Sequence, residues 1–210
     1  MIKVLVADDH SIIRKGLRQI LNDTDDMRVG GEAENGQEAI RLAQENDYDL
    51  VLLDISMPDK HGIEVLKQIK SVRPQLPVLM LSMHPEEQYA LRALKAGAAG
   101  YLNKQSAPAQ LVNAIRQVAS GKKYISGELA EQLANGLSQG FKDLAHQKLS
   151  NREYQTLCLM ASGKTLTEMA EVMSLSVKTV SVYRVRLLEK MNLKNNAEAI
   201  RYAVSNHLID

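Results

Sequence analysis

Leu50-Val51-Leu52-Leu53-Asp54 sets four aliphatic side chains in a row and runs them into a carboxylate. A strand with one wet face alternates apolar and polar residues; this stretch does not, so it reads as a strand buried on both faces. Two-sided burial implies a parallel sheet with helices above and below it. The flanking sequence repeats the pattern. Ile2 to Ala7 is apolar except for Lys3 and ends at Asp8 and Asp9; Pro77 to Leu81 ends at Ser82; Ala99 to Leu102 ends near Lys104. Met27 to Ala33 is a weaker strand. Between these lie helical periodicities: Ile12, Ile13, Leu17, Ile20 and Leu21; Ala39, Ile40 and Ala43 after Gly36; Val65, Leu66, Ile69 and Val72 after Gly62; Tyr89 to Ala96; and Leu111, Ile115 and Val118. Five strand–helix pairs predict a doubly wound α/β domain with a five-stranded parallel sheet over residues 1–120.

Such a sheet gathers its functional residues at the carboxyl ends of its strands. Asp8, Asp9, Asp54, Ser82 and Lys104 all stand at predicted strand ends, so one pocket is expected to hold them. Crowded carboxylates raise one another's pKa, and a divalent cation removes that cost. An all-oxygen donor set favours Mg²⁺ or Mn²⁺. The chemistry that suits this pocket is phosphoryl transfer to Asp54 as nucleophile. The Lys104 ammonium and the Ser82 hydroxyl would then face the phosphoryl oxygens.

After Gly121 the character changes. Gly121, Gly127, Gly136 and Gly140 are spaced among polar residues, which predicts a linker over 121–147, with Leu129, Leu133 and Leu137 forming one connecting helix. From Leu149 on, every signal is helical. Ser150 and Glu153 make a capping box. A short helix carries Met169, Ala170 and Met173 as core, the turn Ser174-Leu175-Ser176 follows, and a longer helix extends to Met191 before a last one from Ala197 to about Ser205. Four helices over 148–210 predict an all-α bundle, and a short helix, a turn and a longer helix are the helix-turn-helix pattern. On a wheel of the longer helix Val180, Leu187 and Met191 face inward. Lys178, Val182, Val185, Arg186 and Glu189 face outward with Ser181 beside them. The outer residues near the amino-terminal half are those able to reach base edges; Arg184, nearer the inner side, suits a phosphate.

Composition narrows the function classes. The chain has 210 residues, 45% of them hydrophobic, and 26 Lys and Arg against 25 Asp and Glu. It is neither disordered nor a polybasic nucleic-acid coat. Cys158 is the single cysteine, so neither an internal disulfide nor a cysteine-rich zinc site is expected, in keeping with a reducing, cytoplasmic setting. No run approaches the length of a membrane span.

Val4-Leu5-Val6-Ala7-Asp8-Asp9-His10, Leu53-Asp54-Ile55-Ser56-Met57-Pro58, Leu81-Ser82 and Gly100-Tyr101-Leu102-Asn103-Lys104 resemble the flavodoxin-like receiver domain of two-component response regulators. Leu149-Ser150-Asn151-Arg152-Glu153, Leu175-Ser176-Val177-Lys178-Thr179-Val180 and Lys190-Met191-Asn192-Leu193 resemble the LuxR-type DNA-binding domain. Together they are similar to the NarL/FixJ class. The resemblance implies phosphorylation of Asp54 by a histidine kinase. It implies Mg²⁺ held by Asp9, Asp54 and the Ser56 backbone carbonyl, with Asp8 acting largely through water. It makes Ser82 and Tyr101 a switch pair, with Tyr101 turning inward on phosphorylation. It implies double-stranded DNA as ligand, with Lys178, Thr179, Ser181, Val182, Arg184, Val185 and Arg186 as contacts, and a homodimer as the active form. Side chains at Ser56 and His84 fall where the family tunes dephosphorylation. The expected protein is thus a regulator, not an enzyme acting on other molecules. An aspartate-nucleophile phosphatase would want an acid/base carboxylate just after Asp54, where Ile55 and Ser56 stand. DNA binding independent of phosphate stays open at this level.

Overall fold

The computed structural model describes residues 1–83, 86–127, 129–131, 144–206 and 208–209, with the side chains of 86–88 left aside. The chain divides into two compact units, Met1–Ala130 and Glu131–Asp210.

In the first unit five parallel strands, β1 (Ile2–Ala7), β2 (Met27–Ala33), β3 (Leu50–Asp54), β4 (Val78–Ser82) and β5 (Gly100–Asn103), lie in the order β2-β1-β3-β4-β5. Helices α1 (Ser11–Asn22), α2 (Gly36–Glu45), α3 (Gly62–Val72), α4 (Glu86–Lys95) and α5 (Pro108–Ala119) connect and follow them. Every residue of β3 and β4 is buried, as continuous apolar runs require. Val4, Val6, Leu50, Leu52, Leu79, Leu81 and Leu102 turn one face toward Leu17 and Leu21 of α1 and Leu111, Ile115 and Val118 of α5. Side chains alternate along a strand, so Val51, Leu53, Val78 and Met80 face the other way, under α2, α3 and α4.

Two apolar residues depart from the expected stripes. Ile12 is 82% exposed, and Val72, at the last position of α3, is 44% exposed. On α1 the buried face is Arg14, Leu17 and Leu21, because Ile12 lies five residues before Leu17 and so half a turn out of phase. Tyr124 bridges to Gly100 at the edge of β5, and its N–H donates to the Ala99 carbonyl, so the residues after α5 stay on the sheet of this unit. Leu129 is buried in helical backbone; Leu133 and Leu137 of the expected connecting helix lie outside the described residues.

From residue 144 on, the described part of the second unit has a 3₁₀ turn, Ala145–Lys148, followed by α6 (Asn151–Ala161), α7 (Leu166–Met173), α8 (Val177–Met191) and α9 (Asn196–Ser205). The Ser150–Glu153 capping box is formed, and a second one, Thr165 with Glu168, starts α7. Met169, Ala170 and Met173 are buried, as are Val180, Leu187 and Met191. Helix α7 ends on Ser174 in the left-handed region (φ 52°), and the Leu175 N–H reaches back to the Ala170 carbonyl, which makes the turn between α7 and α8 tight. No described helix is long and apolar enough to cross a membrane.

Candidate functional site

The sheet reverses direction of growth at β1, between β2 and β3, and a crevice opens at such a switch point. Asp8 and Asp9 follow β1 and Asp54 ends β3, on the two strands that flank it. Asp8 and Asp54 are buried, each with a side chain 1% exposed, and Asp9 is partly open. The Lys104 Nζ, itself buried, lies 2.6 Å from Asp8 Oδ2 and 2.9 Å from Asp54 Oδ2. The Lys104 N–H donates to the Ser82 carbonyl (2.8 Å), which fixes the residue that follows β5 to the end of β4. Asp8, Asp54 and Lys104, separated by up to 96 positions, are thereby brought to one spot.

Electrostatics favour a cation there. Asp8, Asp9 and Asp54 bring three carboxylates against one ammonium. Burial pushes the Asp54 carboxyl above its ordinary value; Lys104 pulls it back, and the neighbouring Asp8 charge pushes it up again. The enclosed carboxylate oxygens are Asp8 Oδ2 and Asp54 Oδ2, which face the Lys104 ammonium, and Asp9 Oδ1, which faces the His10 ring. Ligand atoms of Asp8, Asp9, His10 and Asp54 lie within 4.8 Å of one another. Three carboxylates sharing one ammonium keep an excess of negative charge at that spacing, which fits a hard divalent cation with several waters.

Ser82 is fully buried at the end of β4, in the register position after Leu81, which pairs with Asp54. Tyr101 is fully buried on β5, so its ring is already inside in this structure. Ser56 is exposed in the loop after β3. That loop is closed by a Ser56–His61 bridge and by the Gly62 N–H donating to the Ile55 carbonyl. A Cβ at Gly62 would stand 2.2 Å from the Asp54 carbonyl oxygen, so only glycine fits there. His84 lies outside the described residues.

Two further side chains stand beside the acids: His10, at the helix start and largely exposed, and Arg14, which escaped the sequence reading. The His10 ring stands at the mouth, with Nδ1 2.7 Å from Asp9 Oδ1. The buried Arg14 donates to the Asp8 carbonyl (2.8 Å) and pairs with Glu34 and Glu32. The available signal was a charge on the Leu17–Leu21 face of α1.

In the second unit Lys178, Val182, Val185 and Arg186 are exposed along α8, and Ser181 is half-buried beside them. Thr179 is half-buried; its hydroxyl lies 2.8 Å from that of Ser176, and its N–H is capped by the same side chain. Arg184 is half-buried, with Nε enclosed and lacking a hydrogen-bond partner among the described residues. Glu153 accepts from the Ser150 N–H and pairs with Lys190 (2.7 Å), tying the start of α6 to the end of α8.

An acid pocket at the switch point of a five-stranded parallel sheet, followed by a separate helix-turn-helix unit, defines a regulator with a receiver and a DNA-binding domain. Residues 4–116 match the response regulator receiver domain, and residues 147–203 match the bacterial regulatory proteins of the luxR family. The chain is 37% identical to the response regulator UvrY of Escherichia coli over 209 residues, covering 99% of this chain and 96% of that one. It is 35% identical to the response regulator GacA of Pseudomonas aeruginosa over 211 residues, covering 100% and 99%. Among solved structures it resembles RcsB from Salmonella enterica serovar Typhimurium, bound to the rprA promoter in the presence of phosphomimetic BeF3- (TM-score 0.63, 28% identity, 96% of this chain and 97% of that one). The chain therefore belongs to the two-component response regulators of the NarL/FixJ, LuxR-type class: DNA-binding transcription regulators switched by phosphorylation of the receiver.

Proposed function

We propose that Asp54 is the phosphoacceptor and that a histidine kinase is the donor. An Asp54 carboxylate oxygen attacks the phosphorus of a phosphohistidine; the O–P bond forms, the N–P bond breaks, and the electron pair returns to the imidazole. Lys104 already faces the carboxylate, and the ammonium would balance charge on the incoming phosphoryl oxygens. Ser82, buried beside it, would donate its hydroxyl to one of them, with Tyr101 as the other half of the switch. The Asp8, Asp9 and Asp54 carboxylates and the Ser56 backbone carbonyl would hold Mg²⁺ or Mn²⁺, which supplies charge neutralisation at the phosphoryl group. The chain would modify only itself, and in that sense is not an enzyme.

On the same reading residues 1–120 form the receiver, 121–147 the linker and 148–210 the DNA-binding domain. Helix α8 enters a major groove of double-stranded DNA. Ser181, Val182 and Val185 meet base edges, while Lys178, Thr179, Arg184 and Arg186 meet the backbone. The active form is a homodimer on paired half-sites, in the cytoplasm. Support comes from the promoter-bound RcsB neighbour and from the exposed outer face of α8.

The convergence of Asp8 and Asp54 on Lys104 carries this reading. DNA binding at fixed salt, with and without acetyl phosphate and Mg²⁺, tests it. Binding should tighten in the wild type and stay flat in Asp54→Ala. Equal binding in all four conditions would refute the Asp54 switch.

A further inference from the structure

Every helix starts with four backbone N–H groups that have no partner within it, and in α2 the three that follow the N-cap are those of Gly36, Gln37 and Glu38. Asn35, its N-cap, covers one by accepting from the Glu38 N–H (2.9 Å). The other two are covered from 22 and 23 residues away: Asp59 accepts from the Gly36 N–H through Oδ1 (2.8 Å) and from the Gln37 N–H through Oδ2 (2.9 Å). Asp59 lies in the closed loop that follows Asp54 and holds Ser56, directly after Pro58, whose ring fixes φ. Close packing serves the same contact. A Cβ at Gly36 would stand 2.5 Å from Val65 Cγ2 on α3 and 3.3 Å from Asp59 Oδ1. Burial pushes the Asp59 carboxyl up, but these two bonds together with those from the Lys60 and Asp59 N–H groups hold it below its ordinary value.

The residue before the N-cap connects the same turn to the opposite side of the pocket. Glu34 pairs with the buried Arg14, and another N–H of Arg14 donates to the Asp8 carbonyl. The turn Glu34–Gln37 therefore touches both acid-bearing loops: one through Arg14 to Asp8, the other through Asp59 to the loop of Ser56.

We propose that Asp59 is a positioning residue: across the amino-terminal turn of α2 it fixes the Ser56 loop relative to the Asp8–Asp9 turn, and so sets the affinity of the pocket for a divalent cation. This rests on the cation site proposed above. Asp59 itself touches neither the cation nor the phosphoryl group; it acts through the backbone that presents Ser56. A simple cap would stabilise α2 and leave cation affinity alone, and that difference decides the matter.

The test uses the full chain with Mn²⁺ as the probe, counting free Mn²⁺ by electron paramagnetic resonance, and hydrogen exchange of the Gly36 and Gln37 amides in metal-free protein. Asp59→Ala should weaken Mn²⁺ binding about 10-fold, in the range of lost outer partners of metal ligands. Asp59→Asn, which keeps one acceptor, should weaken it less. Both amides should lose protection in Asp59→Ala. Acetyl phosphate should then need more Mg²⁺, while the rate at saturating Mg²⁺ stays near that of the wild type. Unchanged Mn²⁺ affinity in both variants, with protection lost, would overturn the proposal and leave a helix cap. If Asp59→Ala does not fold, the affinity of Asp59→Asn decides. A wild type that binds Mn²⁺ but takes no phosphoryl group on Asp54 would sink the phosphoacceptor reading alone; one that binds no Mn²⁺ would sink both.

Discussion

Asp54 is held at a cost. Its carboxylate is buried, shares Lys104 with Asp8, and has its pKa raised first by burial. A raised folded-state pKa means that stability from the protonated form is present below the ordinary carboxylate value. It is lost as pH rises through the folded value. At neutral pH without a cation, Asp54 is therefore a destabilising charge. Asp54→Asn should raise metal-free stability by about 1 kcal/mol, the usual return on relaxing a functional site. Chemical denaturation in chelator, at pH 7 and again near pH 4, checks this; the gain should shrink at the lower pH. Asp54 was legible from sequence because a carboxylate ending an apolar run has no packing role. Arg14 was not, since its partners Asp8, Glu32 and Glu34 become neighbours only when α1 lies across β1 and β2.

Among the elements, α6 and α8 are joined through Glu153. Its side chain is buried, completes the Ser150 cap and reaches Lys190. Burial works against its ionised form, but bonds from Lys190 and Ser150 outweigh it and hold the pKa low. A depressed carboxyl contributes stability above its unfolded pKa and loses it as pH falls through the folded one. The second unit should thus weaken below about pH 4.3, the ordinary glutamate value. Glu153→Gln should lower its stability by about 1–2 kcal/mol at pH 7 and by less at pH 3, as seen by circular dichroism melts. The capping box was readable from its three-residue spacing. The Lys190 partner was not, because 37 residues separate the two and only the crossing of α6 and α8 closes the gap. Likewise Ile12 counted as apolar and is exposed, because periodicity gives a stripe but not its phase against the sheet.

The whole molecule is two units with separate cores. A ligand of one unit stabilises that unit by mass action. With Mg²⁺ at about 100 times its dissociation constant, the first unit should gain about 2.7 kcal/mol. Calorimetry of the full chain should show one transition moving with Mg²⁺ and the other staying. Movement of both by equal amounts would mean that the units unfold as one.

By itself the sequence determined the α/β unit, the helical unit after it and the strand-end acids, because hydrophobic period and strand-end chemistry are local properties of the chain. Tertiary structure alone decided the strand order, which sets Asp8 and Asp54 against Lys104. It also decided which carboxylates are buried, and the bridge from Asp8 through Arg14, Glu34 and Asp59 to the Ser56 loop. These depend on contacts between segments far apart in the chain. Burial and dielectric are properties of the assembled fold, so no local pattern of residues encodes them.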